Sequence, residues 1–153
     1  MFAHHPASAI PKFERDGVVG SVVIGHFNNL TSPVQFPYPV LCIDLKLDAG
    51  TKFRFADLYP ERAAYVVSGA LKCGGTHYAE QRLLVIAAGQ GVTFETDVAT
   101  HILLIAGERM DGPRHLFWNF VSSRPERIEQ AKQGWAAQCF PIVPGETEFI
   151  PLP

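Results

Sequence analysis

Charged side chains are scarce in this chain. Of its 153 residues, 18% are Asp, Glu, Lys or Arg, and the formal net charge is -2. That balance gives no electrostatic reason to expect nucleic acid or an anionic membrane as a partner. Long apolar runs are missing as well. Aliphatic stretches such as Ile102–Ala106 are far shorter than the roughly 20 residues a membrane-spanning helix needs. The opening MFAHHPASAIPKF has no basic stretch followed by an apolar core, so a secretory signal is not expected there. Cysteine is sparse too: Cys42, Cys73 and Cys139 are odd in number and widely spaced. They make neither a disulfide framework nor a metal knuckle, which suits packing thiols in a reducing, cytoplasmic setting. Also missing are a G-x-S-x-G elbow, a P-loop and a dinucleotide fingerprint. Gly89-Gln90-Gly91 reads only as a hairpin turn.

What is present is a pattern of short apolar stretches punctuated by Gly, Pro, Asn and Asp, the mark of antiparallel strands in a sandwich or barrel. With 47% hydrophobic residues, one domain with a real core is expected. The predicted strands are Val18–His26, Val40–Asp48, Thr51–Phe55, Arg62–Ser68, Arg82–Ile86, Gly91–Glu95, His101–Ala106 and Leu116–Val121. In Val40–Asp48, Leu41, Ile43, Leu45 and Leu47 share one face, opposite Cys42, Asp44, Lys46 and Asp48. A slip of one residue would expose all four aliphatics, so the register is well specified. Gly74-Gly75 predicts a hairpin. Residues 1–12, with His4, His5 and two prolines, read as an extended linker, and residues 13–153 as a single domain. Strand spacing by itself leaves open a jelly roll or an immunoglobulin-like sandwich.

The most distinctive stretch is the last, RHLFWNFVSSRPERIEQAKQGWAAQCFPIVPGETEFIPLP, from Arg114 to Pro153. An aromatic strand leads into a helix for which Ser123 is the expected cap, Pro125 a first-turn residue and Glu126 the partner in a capping box. Ile128, Ala131 and Trp135 fall on one helical face. This stretch resembles the carboxy-terminal segment of bacterial pirin-like proteins, in which a W-N-F-V-S-S strand precedes an E-R-I-E-Q-A-K helix and a terminal F-I-P-L-P. The resemblance implies an all-β, cupin-type double-stranded jelly-roll barrel with one carboxy-terminal helix. Pirin-like chains usually carry two such barrels. The amino-terminal one holds iron through three histidines and a glutamate, and some members show quercetin dioxygenase activity. From about His5 to Pro153 this chain looks like the second, usually metal-free, half.

The resemblance also supplies motifs to test. A first cupin motif, G-x5-H-x-H-x(3,4)-E-x6-G, sets alternate strand residues facing the interior, and imidazoles with a carboxylate suit iron, manganese or nickel. Counting from Gly50 puts Ala56 and Leu58 in the histidine slots and Arg62 in the glutamate slot. Counting from Tyr65 and Gly69 puts Phe55 and Asp57 in the histidine slots. The second motif, G-x5-P-x-G-x2-H, starts at Gly89 and places Thr100 in its histidine slot, with Ile102 where a glutamate follows in pirins. His101 is one residue off, hence on the opposite face unless a bulge intervenes. A fallback cluster of Asp57, Glu61, His77 and His101 needs several side chains to converge. No cofactor is therefore expected on this chain, iron belonging to the amino-terminal half of a pirin-like protein.

Eleven phenylalanines, four tyrosines and two tryptophans mostly fill the core. Phe36, Tyr38, Phe117, Trp118 and Trp135 are candidates for a pocket or an interface. The expected function is a non-catalytic, metal-free module that associates with a metal-binding cupin half or with its own copy, most simply as a homodimer. The alternative is a small enzyme or ligand binder using the barrel cavity for a small molecule, as a quercetin 2,3-dioxygenase-like oxidoreductase.

Overall fold

The alternating pattern of the longest predicted strand organises the molecule. In the computed structural model, which describes residues 3–153, the strands in chain order are β1 Lys12–Arg15, β2 Val18–Ile24, β3 His26–Phe27, β4 Leu30–Thr31, β5 Val40–Leu47, β6 Lys52–Phe55 and β7 Glu61–Ser68. They continue with β8 Ala70–Cys73, β9 Thr76–Ala79, β10 Leu83–Ile86, β11 Val92–Glu95, β12 Thr100–Gly107, β13 His115–Phe117 and β14 Phe120–Ser122, followed by helix α1, Pro125–Ala136. A six-stranded sheet has the order β1-β2-β5-β12-β7-β10, and a four-stranded sheet has the order β6-β11-β8-β9. Every pairing is antiparallel. This is the two-sheet jelly roll expected from the sequence, with one late helix.

The core is where the two sheets meet. Ile43, Leu45, Val66, Ile102 and Leu104 from the six-stranded sheet and Phe55, Leu71 and Phe94 from the four-stranded sheet are all fully buried in one cluster. Burying side chains of this size contributes roughly 1.5–3 kcal/mol each. Along β5 the odd-numbered aliphatics Leu41 to Leu47 are inside, and Cys42, Asp44 and Lys46 are not. The Gly74-Gly75 turn joins β8 to β9 with both glycines at positive φ, 57° and 81°, the conformation a two-residue hairpin requires.

Several boundaries differ from the sequence reading. Residues 1–2 of the expected linker lie outside the described residues. The rest of it holds a single 3₁₀ turn at Ala7–Ala9. β1 begins at Lys12, and Val22 N–H donates to the Pro11 carbonyl, so its end is already part of the sheet. Gly89-Gln90-Gly91 is not a hairpin, because it links β10 in one sheet to β11 in the other. Leu116–Val121 is not one strand: Trp118 adopts φ 52° and turns the chain, making β13 and β14 a hairpin in which Phe117 faces Phe120. Ser123 does not cap the helix. The N-cap is Arg124, with no side-chain cap hydrogen bond and Pro125 in the first turn. Ser122 Oγ accepts from Arg124 N–H instead, and Glu126 pairs with Arg124 at 3.6 Å.

The chain divides into two compact units, one through Arg109 and the other Met110–Pro153. The second unit is built on aromatics. Trp135 meets Trp118 edge-on at 5.0 Å, Phe140 at 5.7 Å and Phe149 at 5.7 Å. Its indole N–H donates to the Ile150 carbonyl at 2.8 Å, and Lys132 lies over Phe117 at 4.6 Å. Aromatic edges and a cation over a ring face are favourable arrangements in themselves.

The inside–outside division along β5 makes a direct forecast. Leu45→Ala should lose about 2–5 kcal/mol in urea unfolding. Its neighbour Lys46→Ala should stay within about 0.5 kcal/mol of the parent.

Candidate functional site

Two places in the first unit merit attention: the interior positions where the cupin motifs put metal ligands, and a cleft beside β5. The inward residues at the first place are Phe53 and Phe55 on β6, Arg62, Ala64 and Val66 on β7, and Thr100, Ile102 and Leu104 on β12. They comprise aliphatics, aromatics, one guanidinium and one hydroxyl. The Thr100 hydroxyl is already committed to backbone, to the carbonyls of Val98 and Ala70 at 2.8 and 2.9 Å. Ala56 and Leu58, the other histidine-slot residues, are exposed. Among the described residues no three His, Cys, Asp or Glu side chains are grouped so as to hold a metal ion. The donor set therefore does not fit iron, manganese or nickel.

Arg62 dominates this region. Its side chain is 0% exposed, because alternation along β7 turns it inward together with Ala64 and Val66. A buried guanidinium has to be paired and hydrogen-bonded, and this one nearly is. Nη1 donates to the Ala56 carbonyl at 3.2 Å, and Nη2 to those of Ala87 and Gln90 at 2.7 and 2.9 Å. Nη2 also lies 2.6 Å from Asp57 Oδ1, and the group stands 5.9 Å from the Phe55 ring centroid. Only Nε lacks a partner among the described residues. The planar fork thus ties the exit of β6 and the β10–β11 connection to the start of β7, a task suited to arginine rather than lysine.

The second place is a cleft of about 450 Å³ whose lining runs from Ile24 to Val40 and includes Tyr59. Its walls follow from local sequence. Gly25, at φ 87°, lets the chain leave β2 against β5, where a Cβ would collide with the Val40 carbonyl. Ser32 pins the next loop: its N–H donates to the Gly25 carbonyl at 2.9 Å and its hydroxyl to that of Val23 at 2.7 Å. The far end is held by the Tyr38 hydroxyl on the Arg109 carbonyl at 2.5 Å and by Glu108 N–H on the Pro39 carbonyl at 3.1 Å. Pro33, Pro37 and Pro39 stiffen the span between them.

The remaining sequence candidates fall as follows. Asp57 is the Arg62 partner, and Glu61 is exposed at the start of β7. His77 is exposed on β9, across from Lys72. His101 Nε2 lies 2.7 Å from Asp44 Oδ2 on the outer face of the six-stranded sheet. A register shift does occur beside it, but Ser68 pairs with His101 and Val66 with Ile102, so the extra residue is Val67 on β7. Alternation along β12 is intact, and Thr100 keeps the inward position. These four do not converge. Phe36 and Tyr38 come together in the cleft, whereas Phe117, Trp118 and Trp135 belong to the aromatic packing of the second unit. Sequence reasoning missed Gln35, Tyr59 and the place of His26. The cluster of prolines between Ser32 and Val40 was the available signal.

Comparison with known proteins agrees with the two-sheet fold. Residues 42–141 match the family model described as the pirin C-terminal cupin domain. A pirin-like protein of Caulobacter vibrioides is 35% identical over 99% of this chain and 53% of its own length. Human pirin is 32% identical over 80% of this chain and 44% of its own. Among solved structures, a quercetin 2,3-dioxygenase from Acinetobacter baumannii superposes with TM-score 0.83 at 27% identity, over 94% of this chain and 50% of that one. The chain spans about half the length of the curated relatives it matches.

Two measurements check these environments. Arg62→Met removes the donor to the Ala87 and Gln90 carbonyls, while the Ala56 carbonyl keeps the Leu58 N–H, and should cost on the order of 3 kcal/mol in chemical denaturation. Arg62→Lys should recover part of that, and Asp57→Asn, at a partly exposed partner, should cost less than about 1 kcal/mol. The Cys42 thiol is pushed above its ordinary 9.0 by burial and then by the Asp44 charge. A raised folded value stabilises the fold fully below the unfolded one and loses that contribution as pH rises through it. Stability should therefore fall at alkaline pH above 9.0. Cys42→Ala should flatten that decline in urea midpoints, though not abolish it, since burial raises Cys73 as well.

Proposed function

The chain belongs to the pirin family through that family's carboxy-terminal cupin domain, and from there we propose that it is a metal-free, non-catalytic module that associates with a partner barrel. Arg62 carries the reading. By motif register it holds the glutamate slot, and a fixed, wholly buried positive charge opposes a divalent cation where a carboxylate would attract one. The inward Phe55, Thr100 and Ile102 offer no imidazole or carboxylate in its stead. For the same reason the residues support quercetin-dioxygenase-like chemistry less well than association.

The outer face of the six-stranded sheet supports a partner. The register aligns Val85, Ala63, Ile105 and Cys42 across four strands, with Leu83, Tyr65 and Leu103 in the adjacent row. Val85 is 74% exposed on edge strand β10, and Leu83 and Ile105 are also exposed. An apolar patch on an edge strand is a surface on which chains associate. A metal-binding cupin half or a second copy satisfies it, the second copy most simply about a two-fold axis. Three free thiols favour a reducing compartment, and we place the protein in the cytoplasm. A charge of -2 favours neither nucleic acid nor a membrane surface as partner.

Light scattering on the eluted protein should report twice the 16.9 kDa chain mass, and Val85→Glu combined with Ile105→Glu should return the chain mass. A particle that stays monomeric at high concentration would remove the self-association reading. Stoichiometric iron, nickel or copper by elemental analysis would remove the metal-free one.

A further inference from the structure

We propose that the cleft between the β3–β4 hairpin, the Ser32–Pro39 loop and Tyr59 is a binding site for a small, uncharged, planar aromatic molecule of two or three rings bearing a hydroxyl or carbonyl group. This goes beyond the association reading and does not rest on it. At about 450 Å³ the cleft falls within the range of small-molecule sites. Its lining contains no Asp, Glu, Lys or Arg. A charged ligand would find no countercharge there and would give up hydration.

The lining instead presents flat apolar surfaces, the rings of Phe36, Tyr38 and Tyr59 with Pro37 and Pro39. Phe36 is 55% exposed although it belongs to a stiff, doubly pinned loop. Keeping a large ring in water on a loop of fixed shape lowers the ordering cost of stacking a ligand on it. Several polar side chains on the lining are committed to the protein itself: Ser32 donates to the Val23 carbonyl and Tyr38 to that of Arg109. His26 uses Nδ1 on Thr31 Oγ1 at 2.8 Å. Its Nε2 and the Gln35 amide make no hydrogen bond among the described residues. These two groups would meet a ligand hydroxyl or carbonyl and set its orientation.

The test uses the full chain, uniformly labelled with nitrogen-15, titrated with 2-naphthol. We expect saturable shifts confined to amides between Ile24 and Val40 and around Tyr59. Binding should weaken at least about ten-fold in Phe36→Ala, whose exposed side chain the fold does not need, and several-fold in Gln35→Ala. The charged analogue 2-naphthoate should bind at least ten-fold more weakly than 2-naphthol. The proposal is overturned if shifts spread over exposed apolar residues of both units without saturating. Saturation with the same affinity in Phe36→Ala, or equal affinity for 2-naphthoate, also overturns it.

Discussion

A guanidinium buried at one end of the two-sheet core sets the terms for the rest of this molecule. Arg62 enters the interior because it lies in phase with Ala64 and Val66 on a strand whose alternation is fixed by burial. A charge placed there has to be surrounded by acceptors, and the chain supplies carbonyls from three positions and a carboxylate from a fourth. The cost of dehydrating the charge is thereby converted into a constraint on loop geometry. Segments with little regular structure of their own, 56–60 and 87–91, are held to one point.

That arrangement separates two tasks that a cupin interior can combine. An interior that holds a metal needs polar ligands on neighbouring strands and some open volume. Here Phe55, Phe94, Ile102 and Leu104 fill the space at full burial, as close packing favours. On the proposed reading, binding capacity lies outside the sheets, on the loops and outer faces that packing leaves free. The exposed row on β10 and β12 and the proline-stiffened loop before β5 are such places.

How much of this could be read from sequence varies by element, for physical reasons. β5, β7 and β12 were legible because each is central and buries one face, so alternation writes itself into residue choice. β8 and β9 were missed, although the glycine pair between them was not. Their run ALKCGGTHYA mixes small and polar residues with only Leu71 fully buried, so no periodicity shows. The aromatic stretch before the helix looked like one strand because its residue types favour strands. Only the left-handed turn at Trp118, a conformation that bulky residues seldom adopt, breaks it into a hairpin. Of the site, the slots without histidine were visible by counting. The ties around Arg62 were not, since three of its acceptors are backbone carbonyls that carry no sequence signal. The cleft was half visible: Phe36 and Tyr38 drew notice as aromatics among prolines, but Tyr59 is distant in sequence and joins them only in the fold.

Tyr59 connects the clamp with the cleft. It sits between Asp57 and Arg62, in a segment with little strand pairing of its own. The guanidinium fixes both sides of that segment, through the Ala56 carbonyl and Asp57 on one side and its own strand on the other. The tyrosine ring packs partly against the core and partly lines the cleft. A loop tethered at both ends within a few residues has little freedom left to lose, so a ring carried on it reaches the bound geometry at small entropic cost. The proline-containing part of the lining reaches the same state by other means, with prolines fixing φ and Ser32 and Tyr38 closing the two ends. Two short, separately stiffened segments therefore line one cleft, and one of them is held by an interior charge that is not itself part of the lining.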